Sequence, residues 1–227
     1  MKLLALDTST EACSAALLLG DEIHERFEIS PGAHSRLILP MIEGLCAQTG
    51  VQLKDMDALV FGRGPGSFTG VRIAASVVQG LAFGADLPVI PVSTLAALAQ
   101  GAWQRHQWSR VLSALDARMG EVYWGAFERG ADGVMRAVQN ECVIAPDQVT
   151  VPDTGEWHGA GPGWAAYAAV LRTRCGERIV DPDGQLFPHA AYLLPIAAVE
   201  FQRGATVAAE QALPVYLRDQ VAQRPRP

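Results

Sequence analysis

Cysteine is scarce and scattered. Cys13, Cys46, Cys142 and Cys175 are the four in a chain of 227 residues, and no two stand as C-x-x-C. That spacing argues against a disulfide framework or a zinc site and for buried free thiols. Histidine is as dispersed: His24, His34, His106, His158 and His189 never fall at ligand spacing, and no H-E-x-x-H occurs. Positive charge is also short. Eighteen Lys and Arg against 24 Asp and Glu leave a formal net charge of −6, whereas a protein that grips nucleic acid unaided presents a basic face. The locally basic end, with Arg218, Arg224 and Arg226, reads as a solvated terminus. Apolar runs are broken by Gly, Pro or charge, and none approaches the roughly 20 residues that span a bilayer. Residues 3–6 are too short a run for an export signal, so a cytoplasmic location is the expectation.

What is present is a core. Half of the chain is apolar (49%) and 19% is charged, the composition of a globular protein with one large domain or two modest lobes. Strands are predicted over 2–7, 13–19 and 23–29, with Gly20-Asp21 turning between the last two. A helix follows from His34 or Ser35 to about Thr49, stopped by Gly50. A strand at 58–61 ends in Gly62-Arg63-Gly64-Pro65-Gly66, and Ser67 caps a helix to about Phe83. Val89-Ile90 is a further strand, and Ser93 caps a helix to about Trp103. The polar stretch 104–109 divides the chain into lobes 1–105 and 106–227. The second half shows strands at 111–115, 121–127 and 134–138, a helix over 164–174 and a last helix over 190–203. The final segment has the option of crossing back to the first lobe.

This layout hides a weak repeat. Ala5-Leu6-Asp7 recurs as Ala114-Leu115-Asp116, each ending a strand before a second strand. Gly62-x-Gly64-Pro65-Gly66 recurs as Gly159-x-Gly161-Pro162-Gly163, each before an apolar helix. Two matches in the same order suggest two similar lobes facing each other, the second without a counterpart of the 34–49 helix.

These residues carry a resemblance. Paired lobes, each opening with a hairpin around an Asp, resemble the actin, Hsp70 and sugar-kinase superfamily. The nearer likeness is to the TsaB family of tRNA threonylcarbamoyladenosine biosynthesis. It rests on Leu6-Asp7-Thr8-Ser9-Thr10-Glu11-Ala12-Cys13-Ser14, on His34-Ser35-Arg36-Leu37 with Leu39-Pro40-Met41-Ile42, and most specifically on Gly64-Pro65-Gly66-Ser67-Phe68-Thr69-Gly70-Val71-Arg72. Asp116-Ala117-Arg118 with Gly120-Glu121-Val122-Tyr123 opens the second lobe, and Pro214 with Tyr216-Leu217-Arg218 closes it. The resemblance implies an α/β fold of two actin-like (ribonuclease H-like) lobes, each a mixed sheet with packed helices.

The resemblance also implies an absence. The catalytic relative TsaD holds a metal with H-x-x-x-H, and here Thr94 and Leu98 stand in those places. An alkyl group cannot ligate a metal ion and a lone hydroxyl ligates it poorly. The second phosphate turn, Asp116-Ala117-Arg118-Met119-Gly120, has side chains where a nucleotide cradle would have glycines. The weak nucleotide or phosphate candidates are Asp7, Glu11, Gly64, Gly66, Ser67, Asp116 and Arg118. Asp7 and Glu11 could hold a metal-bound water, or Asp7 could simply accept backbone hydrogen bonds that fix the hairpin. The loop before Ser67 could offer free amides to an anion, or be a tight turn that packs a helix on the sheet.

The first-lobe helices, 34–49 and 67–83, carry more apolar surface than one stripe requires. They are either central core helices or a partner surface. The expected interface residues are Leu37, Ile38, Met41, Ile42, Leu45, Gly70, Ala74 and Val78. By resemblance the partner is TsaD, met through these helices in a four-helix bundle, with a homodimer through the same surface when TsaD is absent. The resemblance adds the ATPase TsaE in a ternary complex, TsaC as supplier of threonylcarbamoyl-adenylate, and indirect tRNA contact. No cofactor is expected to bind tightly, though a weak nucleotide site at the heterodimer interface is allowed. The expected role is a non-catalytic subunit. The alternative is an independent actin-like kinase or a peptidase acting on TsaD, for which Ser67, Ser76 and Ser93 show no evident His or Asp partner.

Overall fold

The computed structural model describes residues 1–218; Arg224 and Arg226 of the basic tail lie outside the described residues. The first half forms β1 (Lys2–Asp7), β2 (Ala12–Leu19), β3 (Glu22–Ile29), α1 (His34–Thr49), β4 (Ala58–Gly62), α2 (Phe68–Ala85), β5 (Val89–Val92) and α3 (Thr94–His106). The second half forms β6 (Arg110–Arg118), β7 (Glu121–Arg129), β8 (Met135–Ala137), β9 (Cys142–Ile144), β10 (Trp157–Ala160), α4 (Pro162–Ala166), α5 (Ala168–Cys175), β11 (Ile179–Asp183) and α6 (Ala190–Gln202).

The two sheets repeat one spatial order. The first runs β3-β2-β1-β4-β5 and the second β11-β10-β6-β7-β8, with β9 also on β7. Reading outward from β1 and from β6, each sheet has an antiparallel hairpin on one side and two parallel strands on the other. The short sequence repeat therefore marks a structural duplication. Asp7 ends the central strand of the first sheet and Asp116 stands two residues before the end of that of the second, and each Gly-Pro-Gly turn follows the first parallel strand.

Strands β1 and β4 are buried on both faces, which explains their unbroken apolar sequences. Leu4 and Leu6 of β1 face Ile38, Met41 and Leu45 of α1 and Ala74 and Val78 of α2. Leu3 and Ala5 point the other way, onto Leu193, Leu194 and Ala197 of α6. The second sheet is covered by Leu95, Leu98 and Ala102 of α3 on one face, and by Trp164 of α4 and Leu171 of α5 on the other. The covering helices thus cross: α3 follows the first sheet and packs on the second, while α6 follows the second and packs on the first.

Several expectations need correction. The helix expected over 164–174 is two, α4 and α5, broken at Tyr167, where φ is −123° and ψ 30°. Pro162 opens α4 at the position proline favours in a helix. β9, β10 and β11 were not anticipated, because WHGA and IVDPD are short and carry Gly, Asp and Pro, which depress strand propensity. α2 runs two residues past Phe83 and α3 three past Trp103, each ending on a left-handed residue, Asp86 and Gln107. With 18 residues and a mean hydropathy of 1.3, α2 is also long and apolar enough to cross a membrane by those two measures; here it lies along the first sheet.

Candidate functional site

A cleft of about 810 Å³ lies between the lobes, walled by the β1–β2 hairpin, the starts of α1 and α2, the β6–β7 hairpin and α4. Of the sequence candidates, Glu11, Gly66, Ser67, Asp116 and Arg118 line it together. Asp7 and Gly64 do not line it, and both are buried.

Asp7 is fully buried at the end of β1. Its Oδ1 accepts hydrogen bonds from Ser9 N at 2.9 Å and Ser9 Oγ at 2.7 Å, while Oδ2 has no partner among the described residues. Burial pushes its pKa up to about 6 against the pull of the Ser9 bonds. The group anchors the turn of the hairpin. Gly62 is glycine because a Cβ there would overlap Asp7 Oδ2, and Gly66 because a Cβ would overlap the Ser9 carbonyl. Gly70 is pressed just as closely on the Thr8 carbonyl. Ser67 N donates to Ser9 O at 2.7 Å, and the Ser67 hydroxyl accepts from Gly70 N at 3.4 Å. The glycines therefore seat α2 on the first hairpin, and the Ser67 amide is occupied internally.

The second hairpin turns through Arg118, Met119 and Gly120, all with positive φ (61°, 57° and 78°). Asp116 is held by Arg118 N at 2.8 Å, Arg118 Nη1 at 2.9 Å and Tyr167 Oη at 3.2 Å. Burial and the neighbouring Asp116 raise the Tyr167 pKa. Arg118 also reaches across the cleft to Glu11, Nη2 to Oε1 at 3.2 Å. The Arg118 guanidinium that offsets Asp116 is thus shared between two carboxylates, a poor arrangement for a polyphosphate.

Thr94 and Leu98 belong to the first turns of α3. Thr94 Oγ1 is buried without a partner, and Leu98 packs in the second-lobe core. Among the described residues no cluster of three or more His, Cys, Asp or Glu could hold a metal ion. Ser93, read from sequence as lacking a His or Asp partner, hydrogen-bonds the Glu141 carboxylate. Burial raises the Glu141 pKa, while Ser93 and the charge of Arg63 act the other way. Ser93 is itself buried and also accepts from Ala96 N at 3.2 Å as the cap of α3.

The helical pair is placed differently from the expectation. Ile38, Met41, Ile42, Leu45, Gly70, Ala74 and Val78 are all buried against the chain's own sheet, and Leu37 is half-buried. The most apolar stripe of each helix is spent inside the molecule, so those side chains are not on offer to a partner. The outward face of α1 presents Arg36, Leu39, Pro40 and Glu43; that of α2 presents Thr69, Arg72, Ser76, Gly80, Phe83 and Gly84. Phe83 is 84% exposed, and among the described residues nothing lies within 4 Å of a Cβ built on Gly80 or Gly84. None of these is among the interface residues expected from sequence, although Gly80, inside the expected 67–83 helix at a cost of about 1 kcal/mol relative to Ala, was a signal.

The whole chain has close relatives. A family model described as TsaD, tRNA N6-adenosine threonylcarbamoyltransferase, matches residues 20–225. An Escherichia coli K12 protein described as tRNA threonylcarbamoyladenosine biosynthesis protein TsaB is 46% identical over 231 residues, covering 100% of this chain and 99% of the relative. A Haemophilus influenzae protein with the same description is 43% identical over 235 residues, covering 100% and 98%. The structure described as YeaZ from Pseudomonas aeruginosa superposes with a TM-score of 0.90 at 50% identity, covering 95% of this chain and 99% of that one.

Proposed function

The chain belongs to the TsaB (YeaZ) family, and from that premise we propose that it serves tRNA threonylcarbamoyladenosine formation as a non-catalytic subunit that binds TsaD and keeps it productive. The observation that carries this reading is the outward face of α2. Gly80 and Gly84 open onto space that no described residue comes within 4 Å of filling, and Phe83 beside them is 84% exposed. Small residues at helical spacing let another helix come close. A protein of the same architecture is the partner that fits: this chain matches the TsaD model over residues 20–225, so two such helical pairs can meet about an approximate twofold axis. A second copy of the chain would occupy the same face when TsaD is absent. TsaE joins the assembly, TsaC supplies the activated threonylcarbamoyl group, and tRNA contact is indirect. The setting is the cytoplasm.

The non-catalytic part of the reading draws on the cleft. Thr94 and Leu98 are not a metal-ligand pair, and Arg118 is occupied by Glu11 and Asp116. No tightly held cofactor is needed, and any nucleotide would be bound weakly where the two proteins meet. The test is reconstitution of tRNA modification from TsaC, TsaD, TsaE and tRNA with and without this chain. Activity should fall to background when the chain is omitted; full activity without it would sink the proposal.

A further inference from the structure

Residues 205–218 leave α6 and run back along α2 as an irregular strap. Val89 and Val207 exchange N–H···O bonds at 2.9 and 2.8 Å, adding a rung to the edge of β5. Gln79 Nε2 donates to the Ala212 carbonyl at 3.1 Å. Val215 N donates to the Arg63 carbonyl at 2.8 Å, in the Gly-rich turn. Arg72 Nε donates to Tyr216 Oη at 2.8 Å, and its guanidinium lies 3.6 Å over the Phe68 ring. Every one of these anchors is on the first lobe.

Two residues later the strap changes sides. Arg218 pairs with Glu121 and donates to Met119 Sδ at 3.7 Å, both in the β6–β7 hairpin of the second lobe. The same hairpin is tied to the first lobe by Arg118 and Glu11 at 3.2 Å. The two cross-lobe pairs have opposite polarity, so each lobe offers one cation and one anion at the cleft mouth. The Arg218 side chain is only 18% exposed and lines the cleft, so its pair is screened less than a surface ion pair.

We propose that residues 205–218 are a clasp that couples the outward face of α2 to the opening of the interlobe cleft. Arg72 is the link: it stands on the face offered to the partner and it holds Tyr216, two residues before Arg218. A partner seated on α2 over Phe68, Arg72 and Tyr216 fixes the strap, and the fixed strap holds the second hairpin against the first lobe. Such coupling needs one element that both sites bias, and the strap is that element. The coupling rests on the partner reading above; the clasp itself belongs to the isolated chain.

The experiment is amide hydrogen exchange on the full chain and on its complex with TsaD. In the isolated chain, Arg218→Ala should speed exchange in residues 116–121 by roughly fivefold, the factor that loss of one ion pair supports. The charge-swapped double variant Arg218→Glu with Glu121→Arg should restore it. Unchanged exchange in Arg218→Ala, or no restoration by the swap, overturns the clasp. With TsaD added, the wild-type chain should gain protection both in α2 and in residues 116–121, and Arg218→Ala should keep the first and lose the second. Protection of 116–121 that survives in Arg218→Ala overturns the coupling, whereas an α2 left unprotected in the wild type overturns the partner reading instead.

Discussion

Asp7 shows how one buried group sets its neighbours. Its carboxyl needs space, which removes the side chain at Gly62, and it needs donors, which it finds at Ser9. Only the second need could be anticipated from the sequence, since Ser9 is two residues away; the approach of Gly62 depends on β1 and β4 lying side by side. The raised pKa, about 6 against an ordinary 3.8, means that the folded state holds the Asp7 proton more tightly than the unfolded state. The favourable contribution is complete below about pH 4 and is lost as the pH rises through 6. Asp7→Asn keeps the acceptor for Ser9 and places an amide where the unpartnered Oδ2 and the unpartnered Thr94 hydroxyl lie near Gly62. It should therefore stabilise the chain at pH 8, by at most about 3 kcal/mol, with the gain shrinking on acidification and gone near pH 4. Urea midpoints of both proteins across that range decide it. A variant less stable than the wild type at pH 8 would show that the ionised carboxylate is favourable where it lies.

At the scale of elements, α1 and α2 were legible because their ends are written locally. Gly50 ends α1 in a left-handed conformation, and Ser67 caps α2. Which face each turns inward was not legible, because periodicity shows that an apolar stripe exists and not whether the sheet or a partner takes it. The sheet takes it. Met41→Glu would thus place a carboxylate in the first-lobe core and unfold the chain, and would say nothing of an interface. Gly80→Leu is the informative change. It adds a side chain where no described residue lies within 4 Å, and it replaces glycine in a helix by a strong helix former. The isolated chain should become more stable by about 0.5–1 kcal/mol, while copurification with TsaD is lost. Wild-type affinity in that variant would mean that the partner sits elsewhere.

In the whole molecule, the duplication was legible from Ala-Leu-Asp and Gly-x-Gly-Pro-Gly, since both motifs sit at the turn that ends a strand. The exchange of covering helices was not, because the apolar residues of α3 and α6 do not state which sheet they serve. That exchange has a thermodynamic consequence. Without α6 the first sheet exposes Leu3, Ala5, Val60 and Ile90; without α3 the second exposes Val111, Leu115 and Phe127. Neither half can bury its own sheet, so the two should unfold as one unit. The chain supplies a one-sided reporter, for Trp103, Trp108, Trp124, Trp157 and Trp164 all lie against the second-lobe cores. Leu4 is fully buried in the first-lobe core, and Leu4→Ala should cost about 2–5 kcal/mol. If the crossed helices join the lobes, tryptophan fluorescence and far-ultraviolet circular dichroism will report the same lowered midpoint, although no tryptophan lines the Leu4 cavity. Independently folding lobes would leave the fluorescence transition at its wild-type position while the dichroism split in two.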